Sequence, residues 1–368
     1  MGLKIKNYTQ GFKIVSLALD ENTKKDLICD NLDFIFINDK SLFLFPEDVN
    51  LEIDYELIQE LSVRSNYDIY EIWPDGRLFL RFDTTSIDNY FFITGKCNSN
   101  CIMCPSPECS RKYGEDIELE KLITFAKHIP SDTSHLTITG GEPFLSGEPI
   151  FDFVSLLRDK FPRTEFLFLT NGRIFSIDKY AKLLRKSLPS NSIIAIPIHG
   201  SDAEIHDSIT QTKGSFEQTV LGIKRLLRYG IRIEVRIVIS KMNCTDLDKL
   251  SNFIIREMPQ IEYISVIAME MTGNAYKNKE RLWISYKEAF SFASEAIKKL
   301  ISYGIDVKLY NFPLCTVDPS FWMICEKSIS PNKVRFGEVC EICDYKKVCG
   351  GVFAGTINME KDELKAII

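Results

Sequence analysis

Apolar and polar positions follow two different rhythms along this chain. Up to about residue 88 the apolar runs are short, at Asp33 to Asn38 and Ser41 to Phe45, and a Pro74-Asp75-Gly76 turn joins Tyr67 to Trp73 with Arg77 to Phe82. That pattern predicts strands and a hairpin. From Tyr90 onward short apolar runs alternate with longer helical ones, as βα units around a mainly parallel sheet do. Strands are predicted at Tyr90 to Thr94, Leu136 to Thr139, Glu165 to Thr170, Ser192 to Ile198, Ile231 to Ser240 and Tyr263 to Met269. The intervening helices fall near Leu119 to His128, Pro149 to Lys160, Asp178 to Leu188, Phe216 to Tyr229 and Asp246 to Met258. A helical stretch from Ser285 to Tyr303 closes this region, and a boundary is placed before the strand-like Asp306 to Asn311. The expected organisation is a β-rich N-terminal domain over 1–88, an α/β region over 89–304 and a cysteine-rich extension over 305–368.

Composition narrows the class. With 45% hydrophobic and 26% charged residues in 368, the chain reads as an ordinary folded protein. Its formal charge of −6 supplies no general basic field for nucleic acid or anionic lipid. The first 25 residues contain only a short apolar run, less than a secretory core or a membrane span needs, so a cytoplasmic protein is expected. Eleven cysteines are then unusual, because thiols in a reducing compartment rarely persist as structural disulfides. Metal or cluster ligation is the natural alternative.

The densest signal is Cys97-Asn98-Ser99-Asn100-Cys101-Ile102-Met103-Cys104, a C-x3-C-x2-C spacing directly after the first predicted strand of the α/β region. Three thiolates on one tight loop can hold three irons of a [4Fe–4S] cube and leave the fourth iron open to a substrate. The alternative is a zinc knuckle completed by Cys109 or a histidine. The next strand ends in Thr139-Gly140-Gly141-Glu142-Pro143 and the third in Thr170-Asn171-Gly172. Loops at the carboxyl ends of successive parallel strands are where barrel and open-sheet enzymes build their sites.

A C-x3-C-x2-C loop after the first strand and a GGEP loop after the second, in that order, resemble the radical S-adenosylmethionine (radical SAM) superfamily. The resemblance implies a partial (β/α)6 TIM-like barrel with a small β-rich N-terminal domain and a cysteine-rich auxiliary-cluster extension. It implies that Cys97, Cys101 and Cys104 ligate a [4Fe–4S] cluster whose open iron takes S-adenosylmethionine. Gly140, Gly141 and Glu142 would then meet the methionyl ammonium, Met103 would pack by the adenine, and Asn171 would join the cofactor-binding loops. The fourth strand's end, Ile196-Pro197-Ile198-His199, departs from the usual ribose-binding motif, so His199 has a ribose contact, a proton-carrying role and a structural one open to it. Arg236, on the fifth strand, could pair with the SAM carboxylate or form a salt bridge inside the barrel.

A second array, Cys340, Cys343 and Cys349 in C-x2-C-x5-C spacing with Cys315 upstream, suffices for another cluster or a zinc site. It resembles the SPASM or twitch extensions of radical SAM enzymes that modify peptides, and is shorter than the full SPASM pattern because Phe353 stands where a further cysteine would follow. The expected ligands of an auxiliary [4Fe–4S] cluster are Cys315, Cys340, Cys343 and Cys349, with Cys325 the spare. Tyr310 to Cys315, Phe321-Trp322, Lys327 to Ser330 and the Cys340 to Phe353 stretch together resemble the His-Xaa-Ser system radical SAM maturases of the HxsC type. That family implies reductive cleavage of SAM to a 5′-deoxyadenosyl radical, a ribosomally made precursor peptide as substrate, a paired second radical SAM protein and an electron donor such as flavodoxin or ferredoxin. The N-terminal strands could take up a leader peptide by strand addition or act as a packing lid. Two rivals stand beside this reading: a radical SAM enzyme acting on a small molecule or RNA, and a zinc-stabilised binding or regulatory protein.

Overall fold

The structure, a computed structural model, describes residues 3–38, 41–115 and 118–368. The N-terminal part is a six-stranded mixed sheet made of β1 (Lys13–Ala18), β2 (Phe34–Asn38), β3 (Ser41–Phe45), β4 (Val49–Leu51), β5 (Ile69–Ile72) and β6 (Leu78–Phe82), in the order β4-β3-β2-β1-β5-β6. Two helices that the hydrophobic pattern did not single out accompany it. Glu21–Cys29 buries only Thr23 and Leu27, too thin an apolar stripe to read, and starts because the Asp20 carboxylate accepts from the backbone N–H groups of Asn22 and Thr23. Tyr55–Ser62 presents Leu57, Ile58 and Leu61 to the sheet face that carries Val15, Leu17, Ile35 and Tyr70.

The central sheet has eight strands, all parallel and in chain order: β7 (Tyr90–Phe92), β8 (His135–Thr139), β9 (Glu165–Leu169), β10 (Ser192–Pro197), β11 (Ile233–Val238), β12 (Tyr263–Ile267), β13 (Asp306–Tyr310) and β14 (Cys325–Glu326). Among the described residues β7 and β14 do not pair, so the barrel is partial. Alternate residues turn outward to the helices: Ile233, Val235 and Ile237 of β11 lie in the main core with Ile264 and Val266 of β12. Their neighbours Glu234, Arg236 and Ser265 face the barrel interior instead. The sheet does not stop at the sixth strand. Val307 and Leu309 are buried beneath helix Tyr286–Ser302, which draws β13 into register beside β12.

The N-terminal sheet is fastened to the barrel through one face. Ile14, Ile69 and Phe82 share a core with Phe91 of β7 and Phe125 of helix Leu119–His128. Beside them Ser16 Oγ and His128 Nδ1 share a buried hydrogen bond of 2.8 Å. At the other end Val334–Arg335 and Val352–Phe353 form a two-stranded antiparallel ribbon, followed by the short helix Ile357–Glu360. No helix among the described residues is long and apolar enough to cross a membrane.

Burial pushes the His128 imidazole down to about 4, from an ordinary 6.5. The folded protein therefore prefers the neutral ring. The stability His128 contributes is complete above pH 6.5 and is lost as pH falls towards 4. Urea denaturation across that window should show wild type losing roughly 2 kcal/mol more than His128→Asn, whose amide keeps a partner for Ser16. Parallel pH curves for the two proteins would contradict this.

Candidate active site

The three clustered cysteines sit on the loop after β7, and backbone bonds on both sides hold that loop. Cys97 N donates to Arg111 O (3.1 Å), Asn100 N to Thr210 O (3.1 Å) and Ile102 N to Ile209 O (3.0 Å). From the segment after β12, Asn274 N donates to Cys104 O (2.9 Å), and Asn278 Nδ2 donates to Ile102 O (3.1 Å). Ile102 and Met103 are buried in an apolar cluster with Ile209, Met269, Met271 and Leu282. Burial pushes the Cys97 thiol up to about 11 and the Cys101 thiol up to about 12. Thiols so placed keep their protons until a metal centre displaces them.

The loop after β8 lies directly on the cysteine loop. Gly141 N donates to Thr94 O (2.7 Å) and Glu142 N to Lys96 O (2.8 Å). A Cβ on Gly140 would stand 2.6 Å from Thr94 O, and one on Gly141 would collide with the carbonyls of Gly95 and Lys96. Both positions therefore require glycine for close backbone approach. The Glu142 carboxylate is buried, within electrostatic reach of the Cys97 thiol. It is 1% exposed, accepts at Oε1 from Phe144 N (3.2 Å) and Thr170 Oγ1 (2.7 Å), and accepts at Oε2 from Asn171 N (2.7 Å). It thus ties the second loop to the third. Asn171 Nδ2 in turn donates to Asn98 Oδ1 (2.6 Å) inside the cysteine loop.

These loops surround a cavity with about 1,820 Å³ free of atoms, counting its open mouth. Cys97, Cys101, Cys104, Met103, Gly140, Gly141, Asn171, His199 and Arg236 all line it, so every residue singled out in the sequence for this site except Glu142 meets there. His199 is buried, its Nδ1 has no partner among the described residues, and burial beside His206 pushes its imidazole down to about 3. At neutral pH it is an uncharged ring, suited to a hydroxyl partner rather than to storing a proton. Arg236 Nε stands 3.2 Å from Glu234 Oε1, without hydrogen-bond alignment, while Glu234 also accepts from Ser265 Oγ (2.5 Å) and Tyr263 Oη (3.1 Å). The barrel-internal ion pair is therefore present, and its arginine still faces the cavity.

Further lining residues carried no motif. Glu270, three positions past β12, is half-buried in the cavity wall, and burial pushes its carboxyl up against the opposing pull of Lys333. Ser328, Ser330, Lys333 and Phe353 bring the C-terminal region into the same wall. Only distance past a strand end could have pointed to Glu270.

A second cavity, with about 350 Å³ free of atoms, is lined by Cys315, Cys340, Cys343 and Cys349. Backbone donors converge on its sulfurs: Leu314 N and Gly351 N each donate to Cys349 Sγ (3.4 Å), and Ile367 N donates to Cys343 Sγ (3.4 Å). Leu364, Lys365 and Ile367 form one wall, a contribution the sequence did not signal. Cys325 stays outside, its Sγ donating to Phe321 O (3.6 Å) in the adjoining core. Among the described residues no three His, Cys, Asp or Glu side chains converge as ligands of a single metal ion do.

Residues 91–254 match the radical SAM superfamily. The AdoMet-dependent heme synthase of Methanosarcina barkeri is 24% identical over 51% of this chain and 52% of its own length. The antilisterial bacteriocin subtilosin biosynthesis protein AlbA of Bacillus subtilis is 30% identical over 44% of this chain and 35% of its own. The chain thus spans about half, or less, of the length of these curated relatives. Among solved structures, Streptococcus suis SuiB superposes with a TM-score of 0.51 at 14% identity, covering 77% of this chain and 61% of that one, a likeness of fold. With the cysteine loop, the glycine loop laid on it and the partial parallel barrel beneath both, residues 91–254 are a radical SAM domain.

Proposed function

We propose that this protein is a radical SAM enzyme that modifies a ribosomally made peptide. One observation carries the reading: three cysteines on one strand-end loop face a large cavity whose far wall comes from the same C-terminal region that gathers a second set of four. The residues fit the cofactors of the superfamily. Cys97, Cys101 and Cys104 would hold a [4Fe–4S] cluster, and the backbone of the Gly140-Gly141 loop, Asn171, the open Nδ1 of His199 and Arg236 would receive SAM. When bound, cluster and SAM supply a carbon-centred radical that takes a hydrogen atom from the substrate. Cys315, Cys340, Cys343 and Cys349 would hold an auxiliary cluster, for which backbone N–H groups aimed at sulfur are apt partners.

Closing a crosslink or a double bond from a substrate radical releases one further electron and one proton. Glu270 is placed to take that proton, and a cluster held by Cys315, Cys340, Cys343 and Cys349 would supply an acceptor for the electron. Support for a peptide substrate comes from the relation to AlbA, a bacteriocin biosynthesis protein, and from the roomy cavity. The finer assignment, a precursor bearing His-Xaa-Ser repeats with a paired second radical SAM protein and a flavodoxin or ferredoxin donor in the cytoplasm, rests on the sequence resemblance. Relation to a heme synthase favours a small molecule as the second reading.

Anaerobic reconstitution with iron, sulfide and zinc analysis, beside an assay for 5′-deoxyadenosine, tests the proposal. Wild type should hold about eight irons and form deoxyadenosine, and Cys97→Ala/Cys101→Ala/Cys104→Ala should hold about four and form none. Alanine at the four C-terminal cysteines should leave about four irons and the deoxyadenosine. Zinc at both sites without deoxyadenosine would remove the enzymatic reading. Glu270→Gln should keep deoxyadenosine formation yet yield at least about tenfold less modified peptide. Because the Glu270 carboxyl titrates above its ordinary range and acts as the base, product formation in wild type should rise with pH through that raised value, and the variant should lack this limb.

A further inference from the structure

The short helix that follows the cysteine loop, Glu108–Tyr113, delivers a buried cation to the cavity. Arg111 is 3% exposed and lines the same space as Cys97, Cys101 and Cys104. Its guanidinium is held by the cysteine loop itself: Nη2 donates to Asn100 Oδ1 (2.6 Å) and Nη1 donates to the Ser106 carbonyl. Among the described residues its Nε–H has no partner and no carboxylate forms an ion pair with it. An unpaired buried cation is strongly unfavourable; the Glu108 carboxylate on the same helix feels its charge but is half-exposed and paired with Lys112. A [4Fe–4S] cluster bound by three thiolates changes that balance, because the assembly is an anion and gains one more negative charge on reduction.

We propose that Arg111 is the counter-charge of this cluster, its Nε–H directed at a thiolate or sulfide sulfur and its charge raising the reduction potential. The physical basis is that a fixed positive charge in a low-dielectric site favours the more negative, reduced form over the oxidised one. The inference rests on the cluster assigned above. Arg111 acts here as a positioning and tuning residue and not as a group that touches the reacting atoms.

Reconstituted wild type, Arg111→Gln, Arg111→Lys and Asn100→Ala should be compared by iron content and by EPR-monitored redox titration without SAM. Arg111→Gln should show at least tenfold less reduced cluster relative to oxidised at the wild-type midpoint, a shift of about 59 mV to more negative potential for a one-electron couple. Arg111→Lys, which keeps the charge, and Asn100→Ala, which removes only a clamp, should stay near the wild-type midpoint. If Arg111→Gln fails to hold iron, a full cluster at the wild-type midpoint in Arg111→Lys supports the charge role. An unchanged midpoint in an iron-replete Arg111→Gln, or loss of iron in Arg111→Lys as well, overturns the proposal and leaves a structural clamp. Weaker SAM binding in Arg111→Gln with no shift of midpoint overturns it too, in favour of a SAM carboxylate contact. Wild type without iron would instead defeat the underlying cluster assignment.

Discussion

The cysteine loop and the loop after β8 touch backbone to backbone, and the site depends on that approach. Gly141 N and Glu142 N bond to carbonyls of residues 94 and 96, which leaves no room for a side chain on Gly140 or Gly141. The contact carries the geometry of β7 and β8 beyond their ends: strands in parallel register deliver their following loops side by side, and the glycines let those loops share hydrogen bonds. Glu142 extends the coupling by one strand, since its carboxylate bonds to Thr170 and Asn171 after β9. Three consecutive loops thus form one framework that carries the three thiols and the cavity floor.

Charge is distributed around this framework with little waste. Glu142 is buried but accepts three hydrogen bonds, so its partners are complete within the fold. Arg111 and His199, by contrast, each present a buried nitrogen without a partner to the same cavity. Buried polar atoms that the protein does not satisfy mark where a ligand completes the structure. The apolar Met103 and Met269 line the same cavity and are backed by Ile102 and Met271, which lowers the local dielectric and so strengthens each electrostatic contact formed there.

Most of this arrangement was legible because its signals are local. The C-x3-C-x2-C and GGEP loops need particular residue types at fixed spacing, and the βα rhythm follows from outward-facing alternation in strands buried on both faces. Cys315, Cys340, Cys343 and Cys349 do line one cavity, and Cys325 does not. What escaped notice lacks a local signature. Helix Glu21–Cys29 is nearly all polar and depends on its cap, and the pattern sets the strand-like Asp306 to Asn311 past the end of the α/β region although it pairs with β12 as β13. The hydrogen bonds from Thr170 and Asn171 to the Glu142 carboxylate have no local signature either, because sequence distance conceals them. Arg111, Glu270 and the wall formed by Leu364 to Ile367 become visible only when distant segments converge.

One segment explains how the two cysteine sets keep a defined relation. Residues 269–286 follow β12 and contact the first set and the tail that leads to the second. On one side Asn274 N donates to Cys104 O (2.9 Å), and Gly273, at φ +54°, lies so close to the Pro105 carbonyl that a side chain there would collide. On the other side Met271 N donates to Thr356 Oγ1 (2.9 Å), and Tyr286 N donates to the buried Glu360 carboxylate (3.2 Å) at the start of helix Tyr286–Ser302. Tyr286 Oη closes the loop by donating to Met269 O (2.9 Å). The tail that carries Thr356 and Glu360 continues into the residues whose N–H groups and side chains wall the second cavity. The first and second sets are therefore linked through two layers of hydrogen bonds on either side of a single segment.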